Sequence, residues 1–147
     1  NDLPLSTNLA KFFIFADDSN LMLEASNPTE LEHKCNAALN AVHEWVSRNG
    51  LKLNVEKTNL LYFTNNNQHK EFTMSVSLNG SKITRKDEAK FLGVIVDSKL
   101  KARGGGRPIF DPYFGPFLGL PSRESSWNSG PDGYDRIKFV QTGLGEK

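Results

Sequence analysis

The chain has 147 residues and a formal charge of +1, because 18 Lys and Arg nearly balance 17 Asp and Glu. This length suits about one domain, and the charge gives no strong electrostatic signature of a nucleic-acid or membrane partner. Its single cysteine, Cys35, excludes an internal disulfide and a cysteine-rich zinc site. No apolar run approaches the roughly 18 residues of a membrane span. We therefore expect an intracellular protein, nuclear or cytoplasmic.

Composition changes sharply after residue 101. Nine of the 12 Gly and five of the seven Pro lie in residues 102–147. Glycine and proline at this density oppose long helices and strands. We therefore divide the chain into a structured part, residues 1–101, and an irregular Gly/Pro-rich tail of unknown origin, residues 102–147. The "RGGGRP" run in the tail could bind RNA, but a single copy favours a flexible linker.

Two short apolar segments near the N-terminus predict a β-hairpin. "KFFIF" and "SNLMLEA" have the composition of strands, and "ADD" between them is short enough for a tight turn. Asp17 and Asp18 would then lie at the tip of the hairpin.

A helix of roughly 20 residues is predicted next, since apolar residues recur at helical spacing. Ser26 or Asn27 can cap its start, Pro28 suits the first helical position, and Gly50 suits the left-handed position at its end. One apolar face is expected from Leu31, Cys35, Ala38, Leu39, Val42, Trp45 and Val46.

The following segments predict further strands: "LKLNV", "NLLYFT", "FTMSVSL", "SKIT" and "KFLGVIVD". Asn79-Gly80 is a strong signal for a two-residue hairpin turn. With Ser81 it also matches a glycosylation sequon, which we interpret as part of the turn. The fold class is therefore α+β, an antiparallel sheet with one packed helix and an irregular tail.

The adjacent Asp17 and Asp18 allow two interpretations. The simpler one is a solvated acidic turn, because aspartate is common in turns. The functional one is a divalent metal site, because hard cations such as Mg²⁺ prefer oxygen ligands. Two such ions about 3.5–4 Å apart can clamp the attacking and leaving oxygens of a phosphoryl transfer. That arrangement also needs a third carboxylate from another strand.

Three motifs favour the functional interpretation. "FADDSNLML" resembles the F/Y-x-D-D hairpin of reverse transcriptases. "NGLKLNVEKTNLLYF" and "KFLGVIVDSKL" are similar to the next two motifs in polymerases of non-LTR (LINE-type) retrotransposons, and "NDLP" at the start is similar to the segment before the hairpin. The order matches across residues 1 to about 101. The resemblance implies the C-terminal part of a polymerase palm and its palm-like sheet.

The resemblance also implies roles around the hairpin. Asp17 would bind the catalytic Mg²⁺ or Mn²⁺ ions, and Asp18 would be a second, less direct metal-binding carboxylate. Ala16 would leave room where the 3′ end of the primer approaches.

Further roles follow for the later motifs. Lys57 would lie near the incoming triphosphate and act as a general acid or charge partner for pyrophosphate; the competing interpretation is a surface lysine beside Glu56. Phe91, Leu92 and Gly93 would form the turn that grips the primer, with core packing as the alternative for Phe91 and Leu92.

The resemblance has gaps. In the family, the third aspartate and the fingers precede the position of Asn1, and a helical thumb follows the "SKL" motif. We therefore expect a fragment of a larger enzyme. The complete enzyme would carry out RNA-directed DNA synthesis with an RNA template, a DNA primer and dNTPs. Alone, the chain would bind Mg²⁺ weakly, have little or no activity, and expose a sheet edge where a strand is missing.

Two other hypotheses remain. The chain could be a non-enzymatic, degenerate or domesticated remnant that binds nucleic acid or a protein partner. A metal-dependent nuclease has little support, because His33 and His43 lie ten residues apart, about 80° round a helix, and do not form a ligand pair.

Overall fold

The computed structural model describes residues 2–15, 18–64, 67–91, 94–97, 102–103 and 135–145. One helix and ten strands lie within these ranges: β1 Lys11–Phe15, β2 Asp18–Ala25, α1 Pro28–Arg48, β3 Lys52–Tyr62, β4 Ser77–Leu78, β5 Ser81–Lys82, β6 Arg85–Lys86, β7 Glu88–Phe91, β8 Val94–Asp97, β9 Ala102–Arg103 and β10 Asp135–Gly145. The predicted combination of one helix with antiparallel strands is confirmed.

The strands form three sheets. The main sheet has the order β1-β2-β10-β3-β6, in which every neighbouring pair is antiparallel except the parallel pair of β3 and β6. Two smaller antiparallel sheets have the orders β4-β5 and β7-β8-β9. Strand β10 is thus central, although it comes last in the chain.

Helix α1 begins and ends where the sequence predicts. The Asn27 side chain accepts a hydrogen bond from the backbone N–H of Glu30 at 2.8 Å, and Pro28 is the first helical residue. This contact satisfies one of the backbone donors that a helix leaves unpaired at its N-terminus. Gly50 follows the helix with a φ of 71°, a conformation that glycine adopts without strain.

The hydrophobic core lies between α1 and one face of the main sheet. The helix contributes six of its seven predicted apolar positions as fully buried residues, whereas Trp45 is partly buried. Alternate residues of β2 and β3 face them, because side chains alternate across a strand. These sheet residues are Leu21, Leu23, Ala25, Leu60 and Tyr62. Among the described residues, no helix has the length and apolar character needed to cross a membrane.

Polar side chains of α1 replace a strand partner for part of the predicted "FTMSVSL" strand. The Glu32 carboxylate accepts a hydrogen bond from the Ser75 N–H at 2.8 Å. Asn36 donates to the Ser75 carbonyl at 3.0 Å and accepts from the Ser77 N–H at 3.0 Å. The strand prediction is therefore wrong except at Ser77 and Leu78, because the Ser75 backbone bonds to helix side chains and not to a neighbouring strand.

The turn between β4 and β5 agrees with its prediction. Asn79 has a φ of 50° and Gly80 a φ of 77°, and Leu78 pairs with Ser81 across them. Two consecutive positive φ values are typical of the hairpin turn that Asn-Gly favours.

Two strand boundaries differ from the prediction. "LKLNV" and "NLLYFT" form the single strand β3, which contains an irregularity instead of a break. "KFLGVIVD" is not one strand but a hairpin, because Phe91 at the end of β7 pairs with Val94 at the start of β8.

The prediction of an irregular tail is wrong for residues 135–145, which form β10 and pair with both β2 and β3. Unlike the preceding part of the tail, this stretch has no proline and contains Ile137, Phe139 and Val140. Such residues favour strands. The sequence predicted an exposed sheet edge where a strand is missing. In the structure β10 occupies the position between β2 and β3. The rest of the tail, apart from β9, lies outside the described residues, and the domain division at residue 101 stays a prediction.

Candidate functional site

The β1–β2 hairpin brings Asp18 to one end of the main sheet. Phe15 pairs with Asp18 at this end, followed by Ile14 with Ser19. Ala16 and Asp17 connect the two strands and lie outside the described residues. The predicted hairpin is confirmed, whereas the roles of Ala16, Asp17 and Asp18 stay predictions.

A row of paired positions crosses the sheet at the level of Asp18. Asp18 pairs with Phe15 on one side and with Gly143 of β10 on the other, and Gly143 pairs in turn with Asn54 of β3. We call these four positions the tip row. Neighbouring strands lie about 4.8 Å apart, so the backbone at Asn54 is roughly 10 Å from that at Asp18. The tip row therefore places part of β3 at the same end of the sheet as Asp18.

Strand β3 bulges directly after the tip row. The pairing moves from Gly143–Asn54 to Gln141–Asn59, so two steps along β10 correspond to five along β3. Such insertions bend a strand and redirect its side chains. The bulge comprises residues 55–58, which include Lys57.

Asn54 organises this bulge through hydrogen bonds. Its side-chain oxygen accepts from the backbone N–H of Glu56 at 3.0 Å and of Lys57 at 3.2 Å. The Thr58 hydroxyl, in a side chain that is 3% exposed, donates to the Asn54 carbonyl at 2.7 Å. The Asn59 amide donates to the Lys57 carbonyl at 3.3 Å. These contacts hold the backbone of Lys57 in one conformation.

The structure thus brings Lys57 to the same end of the sheet as Asp18, separated from it by β10. The lysine side chain is exposed. Exposure agrees with a residue that binds the triphosphate of an incoming nucleotide, and it agrees equally with an ordinary surface lysine. Both interpretations of Lys57 therefore remain. Asn54 received no role from the sequence, although it belongs to the "LKLNVEKT" motif. The signal that could have revealed it is an asparagine placed to bond backbone two and three residues onward.

Two buried polar residues follow the aspartates in β2. Ser19 is fully buried and Asn20 is 2% exposed. The Asn20 amide donates to the Phe13 carbonyl at 3.3 Å, while its buried side-chain oxygen has no hydrogen-bond partner among the described residues. In register, Asn20 pairs with Gln141, which pairs with Asn59. A row of three amide residues therefore lies two positions from the tip row along β2 and β10, and the sequence gave it no predicted role.

One of the predicted primer-contacting residues, Phe91, lies in a separate small sheet. Phe91 ends β7 and Val94 begins β8, with Leu92 and Gly93 as the connection. Leu92 and Gly93 are outside the described residues. A tight connection at this point agrees with the predicted turn, and the binding role of Phe91, Leu92 and Gly93 stays a prediction.

A two-metal centre at the hairpin would need a third carboxylate beside the two aspartates. No group of three His, Cys, Asp or Glu side chains that could hold a metal occurs among them. The two tip-row neighbours of Asp18 are Phe15 and Gly143, and neither supplies a carboxylate. Asp2 is engaged elsewhere, because its carboxylate accepts a hydrogen bond from the Trp45 indole N–H at 3.0 Å. The described residues therefore supply no third carboxylate by direct pairing with Asp18.

Comparison with known proteins gives one informative similarity. No protein-family model matches the chain, and no solved structure matches it. The similarity that was found is to a retrotransposon protein. The relative is the retrovirus-related Pol polyprotein from type-1 retrotransposable element R1 of Bradysia coprophila, 31% identical over 122 residues.

These residues are 82% of the chain but 12% of that polyprotein. The chain thus spans about an eighth of the relative's length. The retrotransposon part of the prediction is confirmed, and the activity of the whole polyprotein is not thereby transferred to this chain.

Proposed function

We propose that the chain is part of a retrotransposon RNA-directed DNA polymerase, a reverse transcriptase, and corresponds to the C-terminal part of its palm. The observation that carries the proposal is the β1–β2 hairpin, which places Asp18 at the end of a sheet backed by a helix. The similarity to an R1 Pol polyprotein and the order of the three sequence motifs support it.

In the complete polymerase, Asp17 and Asp18 are the proposed ligands for Mg²⁺ or Mn²⁺. Bound divalent ions supply charge stabilisation for the attacking and leaving oxygens of nucleotidyl transfer. Lys57 is the proposed proton donor or charge partner for the departing pyrophosphate. The Asn54-centred bulge supports this role, because it holds the lysine backbone near the tip row.

The proposed partners are an RNA template, a DNA primer and dNTPs, as expected for the complete enzyme. Ala16, Phe91, Leu92 and Gly93 are the proposed primer contacts. The proposed location is intracellular, nuclear or cytoplasmic. The chain alone is proposed to bind Mg²⁺ weakly and to lack polymerase activity, because its described residues provide no third carboxylate.

Primer extension tests the proposal on the longer protein, whose reading frame is obtained by sequencing the transcript across both ends of this chain. The substrate is poly(rA) annealed to oligo(dT), with Mg²⁺ and dTTP. Asp17→Ala is expected to lower activity at least roughly 100-fold, as loss of a charge-stabilising group does. Asp87→Ala is the matched control, because it removes an exposed aspartate between β6 and β7. Full activity of Asp17→Ala would refute the assignment.

A second candidate function is a non-catalytic remnant that binds nucleic acid or a protein partner. The lack of a third carboxylate among the described residues favours it. This candidate predicts that the chain binds a labelled RNA–DNA hybrid with the same affinity before and after Asp17→Ala, measured by fluorescence anisotropy. No binding of the hybrid at low salt would count against its nucleic-acid form.

A further inference from the structure

Strand β10 has an unusual place in the fold. It comes from the C-terminal end of the chain, beyond residues 104–134, and lies between two strands of the first 62 residues. Its pairing is extensive on both sides, since Val140 pairs with Leu21 and with Leu60. Both of these leucines belong to the hydrophobic core. Strand β10 therefore joins the hairpin to β3.

The register of β10 determines what it brings to the hairpin tip. Gly143 pairs with Asp18, so β10 places a residue without a side chain beside the acidic end. The one acidic residue of β10, Asp135, pairs with Ala25 near the other end of β2. Gly143 lies eight positions after Asp135, a distance of roughly 26 Å along an extended strand.

Only two strand positions can supply a further carboxylate to Asp18 by direct pairing. Residues paired across neighbouring strands lie about 4.5–5.5 Å apart, whereas the next strand over is roughly 10 Å away. Strand β1 occupies one neighbouring position and places Phe15 there. The other position is occupied by β10. Any strand that carried a third metal-binding carboxylate would therefore have to take the place of β10.

We propose that residues 135–145 are a self-blocking strand, which fills the sheet position needed by a third carboxylate and places Gly143 at that point. In this form the chain completes its sheet and buries its apolar strands, but it excludes a two-metal centre. The meaning of this block for catalysis rests on the proposed function. The position of Gly143 beside Asp18, and the weak metal binding expected from it, are independent of the proposed function.

Binding of Mn²⁺ to the full chain tests the proposal without any activity measurement. The wild-type chain is expected to bind weakly, because two adjacent carboxylates hold a hard cation poorly. Gly143→Asp is expected to strengthen binding at least about tenfold, because it adds a carboxylate at the level of Asp18. Asp17→Ala in the Gly143→Asp background is expected to remove this gain. Titration followed by the electron paramagnetic resonance signal of free Mn²⁺ measures the affinities.

The matched control is Gly80→Asp. It adds the same side chain in the β4–β5 turn, where nothing lies within 4 Å of an added Cβ. Aspartate tolerates the positive φ of this position better than most residues. Equal Mn²⁺ affinities of Gly143→Asp and Gly80→Asp would overturn the proposal. Tight binding by the wild-type chain that depends on Asp17 would also overturn it, since a strong site would then exist with β10 in place.

A cysteine pair tests the position of β10 even if Gly143→Asp impairs folding. Asn20→Cys with Gln141→Cys joins two paired positions and is expected to form a disulfide on oxidation. Asn20→Cys with Val140→Cys is the control, because a shift of one residue moves the side chain to the other face of the sheet. The native Cys35 is buried. Equal cross-linking of the two pairs, or none in either, would overturn the proposal.

The two proposals can fail separately. A longer protein without Asp17-dependent primer extension would refute the polymerase assignment and leave the Mn²⁺ and cross-linking results unaffected. Polymerase activity together with Asp17-dependent tight Mn²⁺ binding by the isolated chain would refute the self-blocking strand alone.

Discussion

The hairpin with its helix and the C-terminal strand belong to the same sheet, but they are assembled from contacts of very different range. Phe15 and Asp18 pair across two connecting residues. Gly143 pairs with a residue 125 positions earlier (143 minus 18) and with another 89 positions earlier (143 minus 54). Local pairs cost little loop-closure entropy, whereas β10 must close a long loop before its hydrogen bonds and packing can offset that cost. A sequence pattern therefore predicts a locally paired strand, such as those of the hairpin, better than a strand with distant partners, such as β10.

The largest effect is expected from a substitution that disrupts the long-range pairing of β10. Val140→Pro removes a backbone N–H from the central strand, and proline is found almost only in edge strands. A buried carbonyl left unpaired costs ~1–3 kcal/mol, so amide exchange in β2 and β3 should accelerate about tenfold to 100-fold. Exchange within α1 should change less. Hydrogen exchange followed by mass spectrometry of the full chain measures both.

Val140→Thr is the control, because threonine keeps the N–H and suits a strand. It should leave the exchange of β2 and β3 closer to that of the wild type. If Val140→Pro leaves β2 and β3 fully protected, β10 is not the strand that joins them.

A smaller effect is expected in the bulge of β3, where a local motif serves the tertiary arrangement. Asn54→Ala removes the acceptor for the N–H groups of Glu56 and Lys57, and each hydrogen bond contributes ~0.5–1.5 kcal/mol. Urea denaturation should therefore show a loss of ~1–2 kcal/mol in the free energy of unfolding. Asn54→Asp keeps an acceptor oxygen and should lose less. Equal losses in the two variants would show that these bonds do not stabilise the bulge.

The smallest effect is expected for a local contact at the start of α1. A hydrogen bond from the Ser26 hydroxyl, and then the Lys34 ammonium 2.9 Å away, lower the pKa of Glu30 from 4.5 to about 2. Because the folded pKa is below the unfolded one, the stabilisation is present above the unfolded pKa. It is lost as the pH falls from 4.5 through about 2.

Glu30→Gln should therefore lower Tm at neutral pH and weaken the dependence of Tm on pH in this acidic range. Thermal unfolding followed by circular dichroism at several pH values measures it. Glu44→Gln, which removes an exposed carboxylate near the other end of the same helix, should leave that acidic dependence in place. An unchanged pH dependence in Glu30→Gln would contradict the assignment.

Part of the candidate site could be predicted because its signals are local. The acidic turn between two apolar segments indicated the hairpin, and the "LKLNVEKT" motif indicated Lys57. The sequence predicts a break at the position of the bulge, and only the pairing of β3 with β10 shows that one strand continues through it. The amide row of Asn20, Gln141 and Asn59 was equally hidden, because its members come from three distant segments.

The sequence by itself determined the hairpin and the helix, because a cap at Asn27, a stop at Gly50 and apolar spacing act over a few residues. Only the tertiary structure decided the partners of the remaining chain. Glu32 and Asn36 bond the backbone of Ser75 and the N–H of Ser77, and β10 fills the gap between β2 and β3. The physical reason is that an unpaired backbone group takes any partner that burial brings near, and sequence neighbours do not specify that partner.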